Sequence, residues 1–235
     1  MTHQKDYWAI DQFLTTALGR QAYKITLPCA MPKALMMMAA SFIYCKVSCS
    51  DIAAVNTLET WGFHLIETNV RLQRPIVPSR SKGDFTIRTA VMSDEEEVVA
   101  LAARVFSCSR FHVDPQFTNE QANGIKASWI RNFFKGQRGD TLLLVEEGSS
   151  IIGFILLLVQ NEDVVIDLLG VASTHRRKGA ASQMIDAAMA SFHDRRRIIV
   201  GTQLCNTTSL SAYEKSGFRI SGADYVFHYH GAMQS

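Results

Sequence analysis

The sequence predicts an α+β (mixed α/β) domain on a mostly antiparallel sheet, preceded by a smaller α/β segment. Three observations predict it. Apolar runs follow one another closely at "TLLLVEE", "IIGFILLLVQ" and "DVVIDLLGV", nearly continuous as in strands covered on both faces. Stretches with helical periodicity lie between the strand-like runs. One stretch, "RPIVPSRSKGD" (Arg74–Asp84), breaks the pattern with prolines, serines and a glycine, as a linker does. The division that follows is residues 1–75, a linker at 76–84 and a main domain at 85–235.

In the first segment, strands are expected around Ala22–Leu27, Phe42–Ser48 and Phe63–Leu72, with helices around Lys33–Ala40 and Asp51–Trp61. After the linker, "FTIRTA" restarts the pattern as a strand. "MSDEEEVVALAARVF" then offers Ser93 as an N-cap and acids in the first turn, which the helix dipole favours. A loop, "SCSRFHVDPQF", leads to a helix around Asn119–Lys135 with Trp129, Ile130, Phe133 and Phe134 on its apolar side. The three close strands follow, the first two joined by "GSS" as a hairpin. A helix after Gly179, the strand "RIIVGTQL", a helix from about Thr207 to Lys215 and a strand near Gly217–His230 complete the chain. "NTLETWGFHLIETNVRL" (Asn56–Leu72) and "AYEKSGFRISGADYVFHY" (Ala212–Tyr229) both carry a helix ending in Gly-Phe before a strand, a faint internal repeat.

Composition excludes some classes. With 47% hydrophobic and 20% charged residues, the 235-residue chain reads as a soluble globular protein. A formal charge of +2 supports neither a nucleic-acid nor a membrane partner, which usually go with a strong basic excess. The longest early apolar run, Ala34–Cys45, is too short for a membrane span. Five cysteines without paired CxxC spacing indicate reduced, mostly buried thiols, a cytoplasmic location and no zinc site. Cys205 is expected in a buried strand. His228 and His230 alternate along one strand and are expected at a solvent-facing strand end rather than on a metal.

The stretch "VASTHRRKGAASQMIDAAM" (Val171–Met189) carries the chemistry. Arg176, Arg177 and Lys178 stand at a helix N-terminus, where positive charge opposes the dipole unless an anion intervenes. Gly179, Ala180, Ala181 and Ser182 are small enough to let a ligand reach the free backbone N–H groups. The combination describes a pyrophosphate cradle. It matches neither GxxxxGK[ST] nor GxGxxG.

Arg176-Arg177-Lys178-Gly179-Ala180-Ala181 resembles the acyl-CoA loop of the GCN5-related N-acetyltransferase (GNAT) superfamily, Arg/Gln-x-x-Gly-x-Gly/Ala. Leu169-Gly170-Val171 resembles the strand end that precedes that loop, and "NTTSLSAYEKSGF" (Asn206–Phe218) resembles the family's Asn…Tyr…Gly-Phe block. The resemblance covers roughly Phe85–His230 and implies the acyltransferase fold with acetyl-CoA as acetyl donor. By it, Leu169, Gly170 and Val171 would pair with the pantetheine arm and the 176–182 loop would hold the pyrophosphate. Asn206 would bond the arm, and Tyr213 would protonate the leaving thiolate. A phenol of ordinary pKa near 10 suits that task at neutral pH. Asp167 is the carboxylate nearest the expected thioester end.

"VFSCSRFHVDPQF" and "IKASWIRNFFKG" further resemble acetyltransferases of nucleotide-linked amino sugars, of the dTDP-4-amino-4,6-dideoxyhexose type, which also carry a truncated acetyltransferase-like N-terminal segment. That likeness implies an amino-sugar nucleotide acceptor, with Ser109, Arg110 and Phe111 as its binding residues. A guanidinium suits a diphosphate, although Arg110 pairing with Asp114 is an equal reading; His112 reads as a polar loop residue. The implied reaction is direct attack of the amine on the thioester. Two alternatives stay open: a transferase for another primary amine (protein N-terminus, polyamine or antibiotic), and a non-catalytic acyl-CoA-binding module. Sheet edges in such a fold commonly pair, which makes a homodimer the expectation.

Overall fold

The computed structural model describes residues 8–28, 41–77 and 83–231; the helix expected over Lys33–Ala40 lies outside them. In chain order the elements begin with β1 (Trp8–Ile10), α1 (Gln12–Leu18), β2 (Ala22–Ile25), β3 (Phe42–Ser48), α2 (Ile52–Thr60), β4 (His64–Pro75) and β5 (Thr86–Thr89). Then come α3 (Glu95–Val105), α4 (Arg110–Val113), α5 (Asn119–Phe134), β6 (Thr141–Glu147), β7 (Ser150–Gln160) and β8 (Asp163–Val171). The last are α6 (Ala180–Ser191), β9 (Arg197–Gln203), α7 (Thr207–Lys215) and β10 (Arg219–His230). Among the described residues no helix is long and apolar enough to cross a membrane.

Packing divides the chain into two compact units: Met1–Asn69 with Ser109–Ala122 and Gly222–Ser235, and Val70–Cys108 with Asn123–Ser221. The second unit is the mixed α/β fold the sequence predicts. Its strands run β9-β8-β7-β6-β5, antiparallel except for the parallel β8–β9 pair. Alternate side chains feed two apolar layers. Leu143, Val145, Ile155, Leu157, Val164 and Ile166 pack with Ala180, Met184, Ile185 and Met189 of α6. Leu142, Leu144, Phe154 and Leu156 pack on the other face with Val98, Leu101 and Ala102 of α3 and Ile130 of α5.

In the first unit the strand order is β1-β2-β3-β10, with β2 and β3 parallel and the other pairs antiparallel. Its apolar core gathers Tyr23, Ile25, Ile43, Cys45, Leu58, Phe63 and Phe227. The internal repeat extends further than the sequence shows. β3 matches β9 at seven residues, α2 matches α7 at nine, and β4 matches β10 at twelve. Asp51 caps α2 by accepting from Ala54 N, and Asn206 caps α7 by accepting from Ser209 N. Both helices close alike. Gly62 N bonds Glu59 O and Phe63 N bonds Leu58 O, while Gly217 N bonds Glu214 O and Phe218 N bonds Tyr213 O. The parallel pairs match too, Ala22↔Phe42 to Ile25↔Cys45 and Asp163↔Arg197 to Ile166↔Val200.

Several expectations need correction. Arg74 and Pro75 belong to β4 rather than to a linker, and Ile76 N is bonded to Arg196 O at 3.1 Å. Ser93 is not the cap of α3. It lies inside a 3₁₀ turn, Met92–Asp94, because Asp94 accepts from Val91 N at 2.8 Å and is forked by Arg88 at 2.7 and 2.9 Å. The "SCSRFHVDPQF" loop contains a helical turn, α4. Of the four described cysteines only Cys45 is buried; Cys205 is exposed, beyond the end of β9.

The strand-end histidines are also corrected. His228 is fully buried and His230 nearly so, both on Asp114 Oδ2, at 2.6 Å from His228 Nδ1 and 2.9 Å from His230 Nε2. Arg20 Nη2 lies 3.0 Å from His230 Nδ1. An arginine can only donate, so His230 accepts on Nδ1 and donates from Nε2. His228 then donates from Nδ1, among the rings of Phe42, Phe111 and Phe117. The three ligand-type atoms lie close enough to hold a cation. Bound metal would instead require Nδ1–H on His230, facing the Arg20 donor, so the cluster is better satisfied as a hydrogen-bonded chain. For Asp114, burial alone would raise the carboxyl, but the His228 and His230 bonds outweigh it and hold it below the usual range. Burial pushes His228 down to about 4 from its ordinary 6.5, against the opposing pull of Asp114. The unfolded chain therefore takes up this proton at higher pH than the folded one, and acid favours unfolding. At about pH 5 the loss should be on the order of 2 kcal/mol relative to neutral pH. Thermal melts should show a steeper fall between neutral pH and about pH 5 for the parent than for His228→Gln; parallel slopes would place the acid lability elsewhere.

Candidate functional site

Strands β8 and β9 pair in parallel from Asp163↔Arg197 to Ile166↔Val200 and no further, although β8 runs on to Val171 and β9 to Gln203. The parting coincides with a bulge. β7 pairs Leu156 with Leu168 and Leu157 with Ile166, which leaves Asp167 as an extra residue on β8. Such an insertion bends a strand and raises its twist. The side chains record it. Val164 and Ile166 face the α6 layer, Leu168 faces the α3 layer, and Leu169 and Val171 return to the α6 side. The backbone of Leu169–Val171 is thus paired to β7 along one edge and free of β9 along the other.

The chain next makes a 3₁₀ turn, Ser173–His175, and enters α6 through Arg176–Gly179. Arg176 reaches back, donating from Nη2 to Val105 O at 2.7 Å and from Nε to Val171 O at 3.2 Å. It braces the loop. Arg177 and Lys178 are exposed and make no side-chain hydrogen bond or ion pair among the described residues. Arg177 sits at φ +65° and Gly179 at φ +91°, left-handed conformations of the kind found where successive N–H groups form an anion-binding concavity. No side chain caps α6. Ala180 is buried, Ala181 half-buried, and Ser182 is exposed with its Oγ 3.1 Å from Ser216 Oγ.

Helix α7 supplies the remaining groups. Asn206 caps it through Oδ1, which leaves Nδ2 with one long contact, 3.5 Å to Thr202 Oγ1. Tyr213 is 7% exposed in the apolar core, its ring edge-on to Phe218 at 5.4 Å. Burial pushes its phenol above the ordinary value, so it stays protonated throughout the neutral range. Taken together, the second unit offers uncapped helix N–H groups with two free cations, an unpaired strand edge, an amide and a buried phenol. That set can bind an anion at one end of an extended, amide-bearing chain and donate a proton at the other.

Asp167 is not a free carboxylate. Arg138 forks it, Nε to Oδ2 and Nη2 to Oδ1, both at 2.6 Å. Sequence reading missed Arg138, because nothing in "GQRGD" marks which acid it meets. The acceptor residues expected from sequence lie in the first unit. Ser109 is buried, precedes α4 and bonds His112 Nδ1 at 2.6 Å. Phe111 is fully buried between Phe42 and Phe117 and presents no face to solvent. Arg110 does not pair with Asp114, whose carboxylate is taken by the histidines. Its guanidinium stacks on the Tyr44 ring at 4.1 Å, and its Nη1 is shielded with no hydrogen-bond partner.

Comparison with known proteins shows the family. The Acetyltransferase (GNAT) family matches residues 96–218, more than half of the chain. The spore coat polysaccharide biosynthesis protein SpsD of Bacillus subtilis is 26% identical over 200 residues, 82% of this chain and 68% of that protein. The dTDP-fucosamine acetyltransferase of Escherichia coli O6:H1 is 27% identical over 192 residues, 79% of this chain and 80% of that protein. Among solved structures, a GCN5-related N-acetyltransferase from Sphaerobacter thermophilus superposes with a TM-score of 0.60 at 15% identity, over 91% of this chain and 75% of that one. With that match over more than half of its length, the chain belongs to the GNAT family of acetyl-CoA-dependent N-acetyltransferases.

Proposed function

We propose that this protein transfers the acetyl group of acetyl-CoA to the amine of a nucleotide-linked amino sugar, of the dTDP-4-amino-4,6-dideoxyhexose class. The observation that carries catalysis, rather than binding alone, is Tyr213. In the repeat its counterpart is Leu58, a fully buried apolar residue whose backbone carbonyl makes the same helix-closing bond. The fold therefore accepts a hydrocarbon at this position, and the phenol answers to chemistry.

The residues fit acetyl-CoA as donor. The uncapped α6 N-terminus, Arg177 and Lys178 suit the pyrophosphate. The free edge of Leu169–Val171 and Asn206 Nδ2 suit the amides of the pantetheine arm. In the reaction the amine lone pair attacks the thioester carbonyl carbon, the C–S bond breaks, the amine proton passes to water and Tyr213 donates to the departing sulfur. A thiol of pKa near 8.5 is a better acid than this buried phenol. Tyr213 therefore keeps its proton and donates a hydrogen bond to the developing thiolate, which leaves as the anion and is protonated by solvent.

The acceptor class is supported by two relatives, one named for spore coat polysaccharide biosynthesis and one for dTDP-fucosamine acetylation.

Two measurements test this reading. Thiol release should be rapid with one dTDP-linked 4-amino sugar and slow with a polyamine, an aminoglycoside or a peptide amine; turnover confined to another amine would discard the sugar. Tyr213→Phe should lower kcat by about 10²–10⁴-fold while acetyl-CoA affinity by calorimetry stays unchanged. A variant as fast as the parent would remove Tyr213 from the reaction. Gly179→Ala probes the loop. The added methyl meets nothing closer than Gln183 Nε2 at 3.8 Å, so only backbone strain at φ +91° opposes it. Strain of about 1–2 kcal/mol should weaken acetyl-CoA binding about ten-fold; unchanged affinity would show that the loop N–H groups carry no phosphate.

A further inference from the structure

We infer that Asp167 is a positioning residue, locked by Arg138 to hold the β8 bulge and thereby to present the free edge of Leu169–Val171. This rests on the reading that acetyl-CoA lies along that edge. The bulge falls on Asp167, at the residue where β8 leaves β9. An extra residue in a ladder is left unpaired by its neighbours, and something must fix where it sits. Here the carboxylate of the extra residue is held by a bidentate fork, both bonds at 2.6 Å.

The fork is itself built in. Arg138 lies in the short connection between α5 and β6, and that connection is fastened to β7 at the register shift. Asp140 N donates to Leu157 O at 2.8 Å, and Asp140 Oδ2 accepts from Val159 N at 2.7 Å. Gly139 runs so close to Leu156 that a β-carbon would sit 2.5 Å from its Cδ1. Leu156 and Leu157 are the two residues between which the β7–β8 register slips. The same connection therefore grips β7 opposite the bulge and delivers a guanidinium to the bulged residue. The Trp129 ring lies under that guanidinium at 4.8 Å and limits its freedom.

This arrangement argues against Asp167 as the base that deprotonates the amine. Both its oxygens are spoken for by a cation, and taking a proton would cost the fork. In the repeat, β2 ends at Ile25, its last residue paired with β3, so no free edge follows; β8 continues past the equivalent pair for five residues, beginning with Asp167. The bulge and its lock belong to the unit that keeps the site.

The test compares Arg138→Met, Asp167→Asn and the double variant. Acetyl-CoA affinity is measured by calorimetry, which needs no acceptor, alongside KM for acetyl-CoA, kcat and its pH profile. Positioning predicts that each single change raises Kd and KM about ten-fold, that the double variant is no worse than either single one, and that the limbs of the kcat profile stay in place. Arg138→Lys, which keeps the charge but loses the fork, should show part of the same defect, and it serves as the readout should Arg138→Met not fold. If Asp167→Asn abolishes kcat with its acid limb while Arg138→Met and Arg138→Lys bind and turn over as the parent does, Asp167 is the base and the inference is overturned. Parent-like affinity in all variants also overturns it while leaving the acetyl-CoA reading intact. A parent protein that binds no acetyl-CoA overturns both.

Discussion

The parting of β8 from β9 is the constraint on which the site depends. Sheets close their hydrogen bonds wherever they can, because a buried unpaired N–H or C=O is costly. This one stops after four residue pairs although both strands continue. A gap in a sheet persists only if the backbone cannot follow its neighbour, and the bulge at Asp167 removes that option by bending β8 and shifting its side chains between faces. Everything else is arranged around the gap. Val171 feeds the loop that Arg176 braces against Val171 O and Val105 O, and Asn206 stands three residues past the end of β9, at the start of the helix that carries Tyr213.

The three cations before α6 look redundant in sequence and are not so in space. One is structural. Arg176 spends its donors on two carbonyls, which leaves Arg177 and Lys178 as the free positive charge beside a positive helix end. Two cations placed against a dipole, with no carboxylate among their partners, cost stability until an anion arrives. The left-handed turns at Arg177 and Gly179 aim the backbone the same way. Backbone and side chains therefore ask for the same ligand charge, which a solvated basic turn need not do.

Much of this was legible in the sequence, for identifiable reasons. Period and composition located β3 at Phe42–Ser48 and the helices ending at Gly62 and Gly217, since strand alternation, caps and C-terminal glycines are local signals. The basic loop before α6 stands out in the sequence because its chemistry is contiguous along the chain. What was missed is non-local. Ser93 looked like a cap until Arg88, a residue of β5, pulled Asp94 into that place. His228 and His230 alternated as surface residues do, and only Asp114, far away in sequence, makes them interior. Asp167 reads in sequence as a free carboxylate, yet it is forked by Arg138 and sits at a register slip that no single strand reveals. These three misses each concern a polar residue whose partner lies on another element.

The repeat separates what the fold needs from what the reaction needs. The two copies share strand lengths, helix length, capping and the closing hydrogen bonds, so these features follow from packing. At the cap the first copy has Asp51 and the second Asn206, and either side chain accepts the capping N–H. Only the amide can also donate, so the second copy has at its helix start N–H groups that the first lacks, with one long contact to Thr202 Oγ1. In the middle of the helix the first copy has Leu58 and the second Tyr213, each in an apolar core. Burying a hydroxyl where a hydrocarbon suffices costs stability unless a partner satisfies it. No such partner is found among the described residues, and burial of the ring raises the phenol, which keeps its proton at neutral pH. On the proposed reaction, a protonated hydroxyl without a protein partner suits a group that becomes negative only as the reaction proceeds, and a leaving thiolate is such a group.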